Sequence, residues 1–231
     1  NVIDISAEAN LHYMHQASLN FIADTGGTLR LLRAEMAGGE TWPDGEIESL
    51  RHNLAEAFPR SETWGPAAVI DECQKMLPRN AIATVDSGAH RILLSQMWSC
   101  RDARGLLQSS ALCTMGCAVP LAIGARIAAP DRVVVSFSGD AGMLMVAGEL
   151  ATAAELGTKV IFVVFVDSSL ALIELKQRQR EMDNLGVDFT RHDFAAMGEA
   201  FGGRGFTATS REELRRHLDH ALAHDGFSLI A

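Results

Sequence analysis

Hydrophobic and polar positions along this chain follow two periods. Ala81 to Val85, Arg132 to Phe137 and Lys159 to Val166 are short, nearly continuous apolar runs rich in β-branched residues, which predicts strands buried on both faces. Between them, Met115 to Ala128 and Met145 to Leu156 are apolar segments of helical length. Ahead of the first run, Pro66 suits a first helical turn, and Val69, Ile70, Cys73 and Leu77 follow at helical spacing until Pro78. Further helices are predicted over Phe194 to Phe201 and Arg211 to Ala223, the second opened by Ser210 with Glu213 in a capping-box pattern. Phe227 to Ile230 reads as a last strand. Alternating strands and helices imply an α/β fold, a doubly wound parallel sheet with helices on both faces.

The N-terminal part is organised differently. Asn1 to Ser6 alternates apolar and polar residues like a strand, without an initiator Met and without a preceding partner strand, as if cut from something longer. A second short unit runs from Ser18 to Met36, and Ala37 to Gly45 is a glycine- and proline-rich break. The expected division is therefore residues 1–38 as the tail of a preceding domain, 39–65 as a linker, and 66–231 as the main domain.

Composition narrows the function. Of the 231 residues 48% are hydrophobic and 21% charged, enough apolar material for a sizeable core. A formal net charge of -9 without a basic cluster beyond Arg215 and Arg216 argues against nucleic acid as a partner. The Val160 to Val166 run is far short of the roughly 20 residues of a membrane-spanning helix, and no signal-peptide pattern is seen, so the cytoplasm is the expected location. Cys73, Cys100, Cys113 and Cys117 form no CxxC pair and have no histidine at zinc spacing, which predicts reduced thiols.

In open parallel sheets ligands bind beyond the carboxyl ends of the strands. The segments to inspect are thus Asp86 to His90, Ser138 to Gly142, and Val166 to Ser169. Asp140 and Asp167 each follow a strand and are separated by one crossover, so their carboxylates could converge on a hard cation such as Mg²⁺, with an oxygen of Ser169 beside them. Gly139 and Gly142 flank Asp140 before a helix, where backbone N–H groups could face a diphosphate. An aspartate after a strand is equally a common turn residue or N-cap, Met115 an ordinary core residue, and His90 a turn residue.

The ordered segments from His90 to Gln177 resemble the C-terminal domain of thiamine diphosphate enzymes of the acetolactate synthase type. These are Thr114-Met-Gly-Cys-Ala-Val-Pro-Leu-Ala-Ile-Gly-Ala125, Pro130-Asp-Arg-Val-Val, Gly139-Asp-Ala-Gly-Met-Leu-Met and Glu149-Leu-x-Thr-Ala153. The resemblance implies thiamine diphosphate and Mg²⁺ as cofactors, with Asp140, Asp167 and Ser169 holding the metal. It places Met115 under the bent coenzyme and backbone atoms of Cys113 and Met115 against the aminopyrimidine. Gly88, Ala89, His90, Gly139, Ala141 and Gly142 would border the diphosphate, and Leu170 and Ile173 would complete the cofactor site. It also implies that no catalytic residue lies in this chain. The activating glutamate would come from a pyrimidine-binding domain of another subunit, in a homodimer or homotetramer.

The implied activity is that of a transferase or lyase acting on a 2-keto acid, by decarboxylation followed by carboligation. A non-oxidative 2-keto acid decarboxylase or aldehyde lyase is an alternative, as is a non-catalytic cofactor-binding or structural subunit. The family's usual paired asparagines read Val166-Asp167 here, and the extra carboxylate implies steep dependence of cofactor binding on Mg²⁺. Where pyruvate decarboxylases carry a relay glutamate stands Ile173, and where biosynthetic acetolactate synthases carry a tryptophan stands Lys176. Glu174 is a conceivable substitute base, although a glutamate on a helix beside Leu175 and Lys176 more often forms local pairs in solvent.

Overall fold

The computed structural model describes residues 2–11, 16–38 and 42–231. Asn1 of the opening alternation, and Gly39, Glu40 and Thr41 of the expected break, lie outside the described residues. The chain divides into two compact units, Asn1–Leu50 and Arg51–Ala231.

In the first unit, β1 (Ile3–Ser6) pairs in parallel with β2 (Leu19–Ile22), Ile3 opposite Leu19 and Ser6 opposite Ile22. Helix α1 (Thr25–Glu35) starts at Asp24, whose carboxylate accepts the Gly27 N–H at 2.6 Å, a side-chain N-cap. Leu19, Phe21, Ile22, Leu29 and Leu31 are exposed. Helix α2 (Glu46–Ala57) follows Gly45, with Glu46 and Glu48 in its first turn where the helix dipole favours them. It occupies much of the segment whose composition suggested a linker, and the division between the units falls within it.

The second unit continues with α3 (Pro66–Met76), β3 (Ile82–Val85), α4 (Ala89–Met97), β4 (Leu106–Gln108), α5 (Ala118–Ala128), β5 (Val134–Gly139), α6 (Asp140–Met145), α7 (Glu149–Glu155), β6 (Val160–Phe165), α8 (Ala171–Gln179), α9 (Phe194–Ala200), β7 (Arg204–Phe206), α10 (Arg211–Ala223) and β8 (Ser228–Ile230). Its six strands form one sheet in the order β4-β3-β5-β6-β8-β7, every pairing parallel. This is the doubly wound α/β sheet expected from the alternating runs.

Alternation along each strand sorts side chains between two cores. Val85, Val135, Phe137, Ile161 and Val163 pack with Val69 and Ile70 of α3, Leu94 of α4, and Leu214 and Leu218 of α10. Ile82, Val134, Val160, Phe162 and Val164 pack on the other face with Val119 and Ile123 of α5, Met143, Leu150 and Phe194. Each large side chain buried this way contributes about 1.5–3 kcal/mol.

Charge ties the first face together. Asp71 and Glu72 of α3 are buried, and Arg211 Nη1 donates to Asp71 Oδ2 at 2.9 Å and to Glu72 Oε1 at 2.5 Å. Arg215 Nε donates to Glu72 Oε2 at 2.7 Å, and Arg211 Nη2 reaches the carbonyls of Arg60 and Glu62, both at 2.7 Å. Glu62 Oε2 in turn accepts the N–H groups of Ala67 and Ala68 at 3.0 and 3.2 Å, capping α3 from outside the helix. This network fixes where α3 begins, and hence where Pro66 stands.

Some expectations shift. The helix expected from Met115 begins only at Ala118, because Gly116 stands at φ 82, outside the helical region, in a turn whose Gly116 and Cys117 N–H groups are held by the Asp86 carboxylate. The segment from Met145 to Leu156 is not one helix: α6 ends at Met145 and α7 starts at Glu149. At α10, Ser210 Oγ accepts the Glu213 N–H at 3.2 Å, whereas Glu213 reaches past Ser210 to the Thr209 N–H at 2.8 Å. The box is offset by one residue.

Candidate functional site

The chain leaves β3 outward to β4, then crosses back to β5 on the other side of β3. The carboxyl ends of β3 and β5 therefore flank the reversal of strand order, where ligands of such sheets bind. A cleft enclosing about 780 Å³, including its open mouth, lies there. Its walls include Gly88, Ala89 and His90 after β3; Gly139, Asp140, Ala141 and Gly142 after β5; and Asp167, Ser169, Leu170 and Ile173 after β6. Met115 closes the cleft from the turn before α5.

Asp140 is almost fully buried at the start of α6. Its Oδ1 accepts the Ala141 N–H at 2.8 Å, and its Oδ2 accepts the N–H groups of Asp167 and Ser168 at 3.2 and 2.7 Å. The register that sets Gly139 opposite Phe165 puts the two strand ends side by side, so one carboxylate organises both loops. Asp167, open to the cleft mouth, accepts the Ser169 N–H at 3.1 Å. Partial desolvation raises its carboxyl above the ordinary value, and the charges of Asp140 and Glu174 push in the same direction. Two carboxylates thus line one cleft, with no cationic side chain in its lining among the described residues.

His90 lies on the first turn of α4 and stacks on Phe165, ring centroids 5.4 Å apart. Burial pushes its imidazole down to about 4, which keeps the ring neutral at physiological pH. Its Nε2 is buried with no hydrogen-bond partner among the described residues. At α4, α6 and α8 the N-cap residue supplies no side-chain cap among the described residues, so backbone N–H donors are open at Gly88–His90, whereas in the Gly139–Gly142 turn the Ala141 N–H is taken by Asp140 Oδ1. Gly142 is required there by close approach: a Cβ would overlap Asp86 Oδ2.

One of the expected residues sits elsewhere, and Glu174 makes the local helix pair expected of it. Cys113 is exposed and does not line the cleft; its carbonyl accepts the Ser87 hydroxyl. Glu174 forms an ion pair with Arg178 and accepts the Ser169 hydroxyl at 3.3 Å, which lowers its carboxyl and holds it as a local helix partner. The lining also contains Pro66, Ser87, Phe165, Ala171 and Leu172, which sequence reasoning did not single out. Ser87 and Phe165 adjoin strand ends that were marked for inspection, whereas Pro66 arrives from a distant helix and left no local signal.

The donor set suits a divalent cation with a diphosphate. Mg²⁺ takes one or two carboxylates with further oxygens from substrate or water, and Asp140, Asp167 and Ser169 offer that set. Among the described residues no group of three His, Cys, Asp or Glu side chains is placed to hold a metal ion, and the carboxylates in this cleft's lining are Asp140 and Asp167.

The family described as thiamine pyrophosphate enzyme, C-terminal TPP binding domain, matches residues 86–231. The chain belongs to this family. It is 33% identical over 166 residues to the catabolic acetolactate synthase of Raoultella terrigena, covering 72% of this chain and 30% of that protein. It is 27% identical over 230 residues to an acetolactate synthase of Bacillus subtilis, covering 96% and 40%. A probable acetolactate synthase large subunit of Methanocaldococcus jannaschii is 27% identical over 224 residues, covering 90% and 37%. The chain thus spans between 30% and 40% of the length of these relatives, and it carries the family's C-terminal TPP-binding domain. The matched segment starts at Asp86 and contains the whole cleft except Pro66. No helix among the described residues is long and apolar enough to cross a membrane.

Proposed function

We propose that this chain is the diphosphate- and Mg²⁺-binding part of a thiamine diphosphate-dependent enzyme that decarboxylates a 2-keto acid and transfers the remaining fragment to a second carbonyl compound, as an acetolactate synthase does. The observation that carries the proposal is that the Asp140 carboxylate binds the backbone of the loop bearing Asp167, so that both residues line one cleft with the uncapped N-terminus of α4.

Asp140, Asp167 and a Ser169 oxygen would hold Mg²⁺, and that cation offsets the repulsion between the two carboxylates. Gly88, Ala89 and His90 would receive the diphosphate through backbone N–H groups on one side, and Gly139, Ala141 and Gly142 would border it on the other. Met115, Leu170 and Ile173 form apolar walls that keep water from the reacting end of the cleft. Bound thiamine diphosphate supplies the electron sink for loss of CO₂ from the keto acid. With Glu174 engaged by Arg178, this cleft holds no free carboxylate to act as a base apart from the metal pair, among the described residues. The activating glutamate then belongs to a pyrimidine-binding domain contributed by another subunit of a homodimer or homotetramer in the cytoplasm. Residues 1–38 are assigned as the tail of a preceding domain, a reading supported by the exposed apolar side chains of β2 and α1.

The test is a product assay. The protein, combined with the pyrimidine-binding part of its enzyme, is given pyruvate, thiamine diphosphate and Mg²⁺. Release of CO₂ with formation of a carbon–carbon coupled product is expected. CO₂ with only a free aldehyde would turn the reading to a simple decarboxylase, and no turnover would turn it to a non-catalytic subunit.

A further inference from the structure

We infer that Asp86 is a positioning residue that, with Ser87, clamps the turn carrying Met115 and so sets the part of the cleft wall that Met115 forms. The inference rests on the thiamine diphosphate reading above. Asp86 is fully buried at the end of β3, and its carboxylate pairs with no cationic side chain among the described residues. Backbone N–H groups satisfy it instead. Its Oδ2 accepts the Gly116 N–H at 2.7 Å, and its Oδ1 accepts those of Cys117 at 3.1 Å and Ser87 at 2.9 Å.

The bonds fall on both sides of Met115. Ser87 Oγ donates to the Cys113 carbonyl before it, and Asp86 holds Gly116 and Cys117 after it. Thr84 Oγ1 extends the clamp, donating to the Ala118 carbonyl at 2.8 Å. The gripped turn has an unusual backbone: Gly116 at φ 82 uses a conformation open to glycine, and Cys113 at φ 50 is in one that is strained for a residue with a Cβ and persists only where the surroundings hold it. Oδ2 also lies where a Cβ on Gly142 would stand, so no side chain fits there beside the clamp.

An acceptor-only group is needed, because three N–H donors converge on it. An asparagine would turn its own N–H₂ toward at least one of them. The geometry therefore separates two properties of the site: the phosphate and metal elements belong to α4, α6 and the β6 end, while Asp86 governs the wall that receives the rest of the cofactor.

The experiment measures Mg²⁺-dependent binding of two probes, thiamine diphosphate and inorganic diphosphate, to the full chain and to Asp86→Asn. The variant is expected to bind inorganic diphosphate within about twofold of the unaltered protein and thiamine diphosphate roughly tenfold or more weakly, the scale of lost support for a binding group. Equal weakening of both probes, or of neither, would overturn the positioning role, since mere loss of stability does not discriminate between them. Failure of the unaltered protein to bind either probe would overturn the cofactor reading, and the inference with it. If Asp86→Asn does not fold, Ser87→Ala releases one side of the turn without burying an unpaired group. It is expected to show the same selective loss, and equal binding of both probes by this variant would overturn the clamp.

Discussion

Asp140 Oδ2 accepts the backbone N–H of Ser168 at 2.7 Å, joining the loop after β5 to the loop after β6 through one buried carboxylate. Asp140 therefore has a structural duty besides any metal it holds.

Removing that carboxylate leaves the N–H groups of Ala141, Asp167 and Ser168 without their acceptor. Asp140→Ala is expected to lower stability by about 2 kcal/mol or more even without cofactor, since an unsatisfied buried donor costs about 1–3 kcal/mol. Urea denaturation checks this. An unchanged midpoint would mean that the two loops are held by something else.

Gly142 has no room for a side chain against Asp86. Gly142→Ala is expected to destabilise by about 2 kcal/mol, in the range for overpacking a close-fitting site. Thermal unfolding measures it, and a midpoint equal to that of the unaltered protein would show that α6 can retreat without cost.

His90 carries a pH signature. Its imidazole falls from 6.5 to about 4 on folding, so between those values the unfolded chain binds the proton and the folded chain does not. Stability from this group rises with pH across that window and is fully present above it. His90→Phe, which keeps a ring against Phe165, is expected to flatten the stability profile between about pH 4 and 6.5. A slope in that window equal to the original would contradict the assignment.

Glu72 works in the opposite part of the scale. The Arg215 guanidinium, aided by Arg211, holds its carboxyl below the usual carboxylate range despite its burial. A lowered carboxyl stabilises the fold above its unfolded value of about 4.3, and the contribution is lost as pH falls through the folded value. Glu72→Ala is expected to cost about 3 kcal/mol at neutral pH, the scale for breaking a buried pair, and to weaken the acid limb of the stability profile. Measuring denaturation midpoints from neutral to acid pH would expose an unaltered acid limb, which would contradict the role.

The strands that carry the site were legible because they are central. β3, β5 and β6 are buried on both faces and so wrote continuous apolar runs. The edge strands β4 and β7, three residues each and only partly covered, left no such run. Helix α4 was missed, and α8 was read only around Glu174, for a related reason: their N-termini open on the cleft without a capping side chain, and α8 buries none of its residues. Within the site, the meeting of Asp140 and Asp167 followed from their places after adjacent strands. The grip of Asp86 on the Met115 turn did not, because a carboxylate that accepts backbone N–H groups from a distant turn imposes no spacing on the sequence. The exposed Cys113 was placed at the site by resemblance, and only its carbonyl is engaged, by Ser87.

Calorimetric titration of thiamine diphosphate into the protein, with Mg²⁺ and then with a chelator, bears most directly on the site. Binding that requires Mg²⁺ and vanishes in Asp140→Ala is expected, because Asp140 and Asp167 confront a diphosphate with like charge unless a cation lies between them. Binding that persists unchanged in the chelator, or that is absent under both conditions, would contradict the assignment of this cleft as a Mg²⁺ and diphosphate site.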